Sequence, residues 1–265
     1  MLMKIYQVDS FTTVPFRGNP AGVCLLQQPA EETWMRNVAA EMNLSETAFL
    51  VPRSDGYDLR WFTPALEVDL CGHATLASAH ILYEEQIVSR DIPIRFFTKS
   101  GELTVVPKVS GLEMDFPAEP VSEIQTAPVL LRALGVTPVY SGQNRLDILL
   151  QLKSPQDVVD ANPDFTALSE IPIRGVMITA EALEPRYDFV SRYFAPAEGI
   201  DEDPVTGSAH CALGPFWAEK LQKKELTGYQ VSKRGGQVGV KVEGNRVKLS
   251  GQAVTVFQGE LNAIR

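Results

Sequence analysis

Six polar residues of this chain stand where acid–base or anion-binding chemistry could be done. Glu46, in NLSETAFL (Asn43 to Leu50), lies between the end of a helix pattern and an apolar run. A carboxylate there is either an exposed strand residue or sits in a partly dry cleft, where burial favours the protonated acid that a proton shuttle needs. His73 follows Gly72 at what reads as a helix start, where a histidine is a structural hydrogen-bonder or a site residue. Cys71 precedes Gly72 at the same start, a location that lowers the pKa of a thiol and can make it reactive. Asp203, just before Pro204, is either an acidic residue favourable near a helix N-terminus or a ligand for a substrate amine or hydroxyl. Ser208 follows Gly207 at a second helix start, and Asn19 lies in the tight polar turn RGNPAG (Arg17 to Gly22), serving either the turn or a substrate.

The two helix starts belong to an internal repeat. RWFTPALEVDLCGHATLASAHIL (Arg60 to Leu82) and RYFAPAEGIDEDPVTGSAHCALGPF (Arg192 to Phe216) both run Arg, aromatic, Phe, small residue, Pro, Ala, an acidic segment, then Gly and a polar residue opening an Ala-rich helix. The second copy carries three extra residues, so that Phe62 matches Phe194, Pro64 matches Pro196 and Gly72-His73-Ala74 matches Gly207-Ser208-Ala209. A strand-rich shell around one buried helix, made twice, with the two copies facing across a cleft, is the expectation. A helix start with unpaired N–H groups can hold an anion, so Gly72 and Gly207 become candidate carboxylate binders.

The elements that must position these residues are mostly short strands: Lys4 to Phe11, Asp58 to Phe62, Pro93 to Thr98, Glu102 to Pro107, and a run of four between Tyr229 and Gly259. Their close spacing predicts antiparallel neighbours. Helix patterns cover Ala30 to Asn43, Gly72 to Gln86, Ala127 to Gly135 and Gly207 to Lys224, the last interrupted by Pro215, which predicts a kink or break. Prolines and acidic residues from Phe116 to Pro128 mark the nearest thing to a boundary, giving domains 1–117 and 118–265 with the last strand able to cross back to the first.

Composition narrows the partners. With a net charge of −9 and a pI near 5.0, neither nucleic acid nor an anionic membrane surface is expected, and a small molecule is. Three cysteines without a C-x-x-C pair argue for reduced thiols in a cytoplasmic protein rather than disulfides or a metal site. No dinucleotide fingerprint, Walker loop, HExxH or nucleophile elbow is present, so no cofactor is expected.

VDSFTTVPFRGNPAGV, NLSETAFL, FTPALEVDLCGHATLASAHIL and DEDPVTGSAHC occur in that order along most of the chain, and together they resemble the PhzF family, the phenazine biosynthesis-like proteins, relatives of diaminopimelate epimerase and proline racemase. The resemblance implies an α+β fold of two similar β-roll, hot-dog-like domains, each around a central helix, and a homodimer. It implies a cofactor-independent isomerase in which Glu46 moves a proton on a small carboxylate as general acid/base. His73, Asp203 and Ser208 would be the other polar site residues, with the Gly72 and Gly207 loops on the substrate carboxylate and Asn19 a further contact. The racemase relatives carry a thiol in each glycine loop. Here Cys71 stands in one and Thr206 in the other, which disfavours a two-thiol mechanism. A racemase using Cys71 with a non-thiol partner, or a non-catalytic ligand-binding protein on the same scaffold, are the alternatives.

Overall fold

The computed structural model describes residues 3–261, which divide into two compact units. The first is made by the chain up to Asp115 and again from Ser250 onward; the second is Phe116–Leu249.

In the first unit the elements are β1 (Met3–Ser10), β2 (Asn19–Leu25), α1 (Glu32–Met42), β3 (Glu46–Arg53), β4 (Gly56–Phe62), β5 (Glu67–Val68), α2 (Gly72–Glu84), β6 (Ile94–Thr98), β7 (Gly101–Lys108) and β8 (Gly111–Pro117), whose end reaches the division. The second contains β9 (Ser122–Glu123), α3 (Pro128–Leu134), β10 (Tyr140–Gln143), β11 (Asp147–Gln151), α4 (Pro155–Asp160), α5 (Phe165–Ser169), β12 (Gly175–Glu181), β13 (Phe189–Ala195), β14 (Ile200–Asp203), α6 (Gly207–Leu221), β15 (Glu225–Gln230), β16 (Gly236–Glu243) and β17 (Arg246–Gly251). A last strand, β18 (Ala253–Leu261), pairs antiparallel with β1.

The repeat in the sequence is a repeat in topology. β1–β2, β3–β4, β4–β5 and β6–β7 are antiparallel, as are β10–β11, β12–β13, β13–β14 and β15–β16. The expectation of antiparallel neighbours holds for these closely spaced strands, but four pairs are parallel: β2–β3, β4–β6, β11–β12 and β13–β15. Each parallel pair is separated in the chain by one or two helices, the long crossover that parallel pairing requires. Side chains alternate across these strands. In the first unit Ile5, Cys24, Phe49 and Phe62 pack on Met35, Val38 and Ala39 of α1, while residues of the other parity, Ser10, Asn19 and Glu46 among them, face the opposite side. In the second unit Leu150, Ile178 and Phe194 pack in the same way on helices α3 to α5.

Helices α2 and α6 are the axes. Ten of the thirteen residues of α2 are buried, with Leu76, Ala77, Ala79, Ile81 and Leu82 wholly so. Such all-round burial is what a helix enclosed by strands needs, and each buried aliphatic side chain stabilises by about 1.5–3 kcal/mol. Of the kink or break expected at Pro215, the break does not occur, since helix α6 runs unbroken through that residue. Proline removes the N–H that would bond the Cys211 carbonyl; that carbonyl instead accepts the backbone N–H of Glu119 at 2.9 Å.

The repeated arginines explain why the motif carries an acidic segment. Arg60 forks onto Glu67, Nε to Oε1 and Nη2 to Oε2 both at 2.7 Å, tying β4 to β5. Arg192 does the same to Glu202 at 2.7 and 3.0 Å, tying β13 to β14. Each guanidinium also lies over the phenylalanine two residues on, Arg60 over Phe62 at 5.1 Å and Arg192 over Phe194 at 4.9 Å.

Candidate functional site

Helix α1 ends at Asn43, whose left-handed backbone (φ 50°) lets its N–H close on the Ala39 carbonyl at 3.1 Å. The chain then turns into β3, which opens with Glu46. Across the sheet, Ser10 and Asn19 face one another at the ends of β1 and β2, both fully buried. The Ser10 hydroxyl donates to the His73 carbonyl at 2.8 Å and so pins the first turn of α2 to this end of the sheet. Sequence reasoning missed Ser10, which no motif distinguishes from any other strand serine.

Here the structure brings Glu46 and His73 together. His73 Nε2 is 3.2 Å from Glu46 Oε2, and the side chains are only 7% and 12% exposed. The two atoms are within ion-pair distance, yet among the described residues neither completes a hydrogen bond, and Thr47 Oγ1 is a third buried polar atom without a partner there. Buried polar groups are ordinarily satisfied, so this capacity left open points to a ligand. On the other edge of the imidazole, His73 Nδ1 lies 3.5 Å from Cys71 Sγ.

Burial alone would lower the pKa of His73, but its neighbours, Cys71 first and then Glu46, outweigh it and hold the imidazole well above its ordinary value. Cys71 corrects the expectation of a reactive thiol. Burial and then the neighbouring Glu46 push it up, more than His73 and the Ala74 N–H can offset. A neutral thiol has no charge to lend, which leaves Glu46 as the partner of the imidazolium.

Glu46, Cys71 and His73 also place an oxygen, a sulfur and a nitrogen within 4.8 Å of one another, the donors of a metal site. The thiol faces Nδ1 and the carboxylate faces Nε2, on diverging edges of the ring. One ion could take all three only if the imidazole turned. Gly72 is the first residue of α2 and Cys71 its N-cap, with no side chain capping the helix.

The second unit makes a related start for α6. Thr206, at the position of Cys71, is its N-cap but does not cap it: the Thr206 hydroxyl donates to Asp203 Oδ2 at 2.5 Å. Gln230, fully buried, accepts from Thr206 N at 2.9 Å and donates to the Asp203 carbonyl at 2.6 Å. Asp203 therefore ends β14 in a fixed orientation. Gly207 is buried as the first residue of α6. The hydroxyl of Ser208, next in the chain, lies 3.5 Å from Arg174 Nη2. Arg174 is itself forked onto Asp147, whose carboxylate also accepts the Tyr193 hydroxyl at 3.0 Å. His210 is a core residue: its Nδ1 bonds the Thr206 carbonyl at 2.8 Å and burial lowers its pKa to about 4. Cys211 likewise faces the core, its thiol pushed up to about 12 by burial.

Among the described residues no helix is long and apolar enough to cross a membrane. The family model for phenazine biosynthesis-like proteins, PhzC-PhzF, matches residues 8–259. An uncharacterized isomerase of Halalkalibacterium halodurans is 53% identical over 98% of this chain and 99% of its own length. The crystal structure of a PhzF-family phenazine biosynthesis protein from Enterococcus faecalis superposes with a TM-score of 0.95 at 41% identity, covering 99% of this chain and 100% of that one. A hydroxyproline epimerase from Agrobacterium vitis, 12% identical with a TM-score of 0.65 over 98% of this chain and 92% of its own, shares the α+β fold. With sequence and fold in agreement, the chain belongs to the phenazine biosynthesis-like PhzF family and is an isomerase.

Proposed function

We propose that this isomerase moves a proton on a small carboxylate-bearing metabolite, with Glu46 as the general acid/base. The observation that carries the reading is the Glu46–His73 pair, 3.2 Å apart, nearly buried, and with Oε2 and Nε2 both lacking a hydrogen-bond partner. A group that removes a proton beside a carboxylate must be dry, fixed and free to accept. The negative charge that develops on the substrate needs donors already in place. The uncapped first turn of α2 at Gly72 supplies N–H groups and the positive end of a helix dipole, and His73 supplies a cation. Asn19, Asp203, Gly207 and Ser208 are proposed as further substrate contacts. Asp203 has its carboxylate oriented by Thr206, and Gly207 opens a helix that also lacks a side-chain cap.

The test is hydrogen exchange. The chain is incubated in D2O with a panel of amino acids and cyclic carboxylic acids, and proton NMR identifies any member that loses a carbon-bound proton. Glu46→Gln is expected to abolish that exchange, by at least about a thousandfold, with the fold intact by circular dichroism. Exchange retained in Glu46→Gln removes Glu46 from the role.

A further inference from the structure

The loop between β1 and β2 breaks the chemistry of its own turn. Residues Val14 to Arg17 close with the Arg17 N–H on the Val14 carbonyl at 3.3 Å, carry Pro15 second, and have φ of +69° at Phe16, the third. Those are the marks of a type II turn, whose third position calls for glycine because a Cβ crowds the backbone there. Phenylalanine occupies it instead, and core packing does not offset the strain, since Phe16 is 71% exposed. The turn is nonetheless held firmly. The buried Asp9 carboxylate accepts the Phe16 N–H at 2.7 Å, Thr12 Oγ1 accepts the Val14 N–H at 3.0 Å, and the Phe11 and Thr12 N–H groups reach the Gln252 carbonyl at 2.7 and 3.2 Å.

Its position gives the exposed ring a use. The loop leaves β1 at Ser10, whose hydroxyl holds the His73 carbonyl, and returns at Asn19, the partner of Ser10 across the two strands. Asn19 is three residues on from Phe16, a span of at most about 11 Å. A strained, solvent-facing aromatic is thus fixed beside the end of the sheet that carries Glu46 and His73. Phe16 and its turn neighbour Val14, 56% exposed, make a patch far smaller than the roughly 20 residues a side of a specific protein interface, one that suits a small ligand.

We propose that Phe16 is a specificity-determining residue of the isomerase, its ring presented to an apolar ring on the carboxylate substrate. The inference rests on the carboxylate reading above. A ring already immobilised by its turn loses little freedom when a second ring packs on it, so the contact is available to binding.

Acetate and benzoate, one carboxylate without a ring and one with, are the probes, titrated while NMR follows the His73 imidazole with His80 and His210 as internal references. The unmodified chain is expected to bind benzoate roughly 3- to 10-fold more tightly than acetate. Phe16→Gly and Phe16→Asn, both tolerant of a left-handed backbone, lose that preference and keep the acetate affinity, while Phe16→Tyr retains it. Phe16→Gly also raises Tm by about 2–4 °C as strain is relieved. A benzoate preference that survives in both Phe16→Gly and Phe16→Asn, acetate weakened as much as benzoate, or a lowered Tm overturns the role of the ring. If neither acid binds the unmodified chain, the carboxylate reading itself falls and takes this inference with it.

Discussion

His73 Nε2 and Glu46 Oε2 approach to 3.2 Å although they come from the first turn of α2 and the first residue of β3, and both are nearly excluded from water. The Ser10 hydroxyl makes the meeting possible by holding the His73 carbonyl. A pair of side chains set on a helix and a strand, rather than on a mobile loop, is positioned by the core itself.

The pair has a pH signature in stability. The folded-state pKa of His73 lies above its unfolded value of about 6.5, so the imidazolium binds its proton more tightly in the native chain. The stability it contributes is fully present below pH 6.5 and is lost as pH rises through the folded pKa. Urea unfolding midpoints measured from pH 6 upward should therefore fall with rising pH, and His73→Gln should remove that part of the fall. A slope unchanged in His73→Gln would assign it to other groups.

Cys71 should be dispensable for proton transfer. Its thiol is buried and, with the carboxylate of Glu46 beside it, disfavours ionisation, while the equivalent N-cap in the second unit is Thr206. Cys71→Ala is expected to keep exchange activity to within about fivefold, because a neutral group that only flanks His73 Nδ1 tunes rather than performs the step. All three cysteines are buried, so a thiol reagent such as DTNB should leave the native chain unlabelled over minutes and find three thiols in urea. Rapid labelling of one native thiol, or a Cys71→Ala variant without activity, would restore the thiol to the mechanism.

The parts of the site legible in the sequence are those whose backbone conformation is written in residue type. Gly72 and Gly207 mark helix starts, and the order Arg, aromatic, Phe shows that the unit is made twice. Asn19, Glu46 and His73 lie in contiguous motifs of which the resemblance made sense. What the sequence hides depends on strand pairing. Thr206 meets Gln230 across 24 residues, and Asp147 meets Arg174 and Tyr193 across 27 and 46, with no local pattern to announce them. Phe16 was hidden for the opposite reason. Turn chemistry expects glycine where it stands, and only the backbone φ shows that the rule is broken.

The two copies of the arginine fork should differ in what they hold. Arg192 is 13% exposed, and besides Glu202 its Nη1 donates to the Val158, Val159 and Ala161 carbonyls at 3.3, 3.4 and 2.6 Å at the end of α4. Arg60 is 34% exposed, and the hydrogen bonds it makes among the described residues go to carboxylates, Glu67 and the exposed Glu32. Arg192→Met strands both a part-buried carboxylate with no second cation bridged to it among the described residues and helix-end carbonyls, costing about 3–4 kcal/mol. Arg60→Met, whose carboxylate keeps Lys99, should cost about 1–2 kcal/mol. Chemical denaturation of the two variants checks the order, and equal losses would show that the backbone carbonyls contribute nothing.

His210 predicts acid sensitivity from the second unit's core. The ring is fully buried on α6, bonds the Thr206 carbonyl through Nδ1, and lies beside Phe189 at 5.8 Å, with no hydrogen-bond partner on Nε2. Among the described residues no carboxylate offsets the charge of a doubly protonated ring, and burial brings the pKa from 6.5 to about 4. The unfolded chain therefore binds more protons than the native one between those values, and stability rises with pH across that window. The full contribution is present above pH 6.5 and on the order of 3 kcal/mol is lost as pH falls to 4. His210→Asn keeps a donor for the Thr206 carbonyl but cannot be protonated. It should be less stable than the parent at pH 7, where it loses packing, and converge on it toward pH 4. Parallel stability profiles for the two chains over that range would show that His210 is not the group that acid attacks.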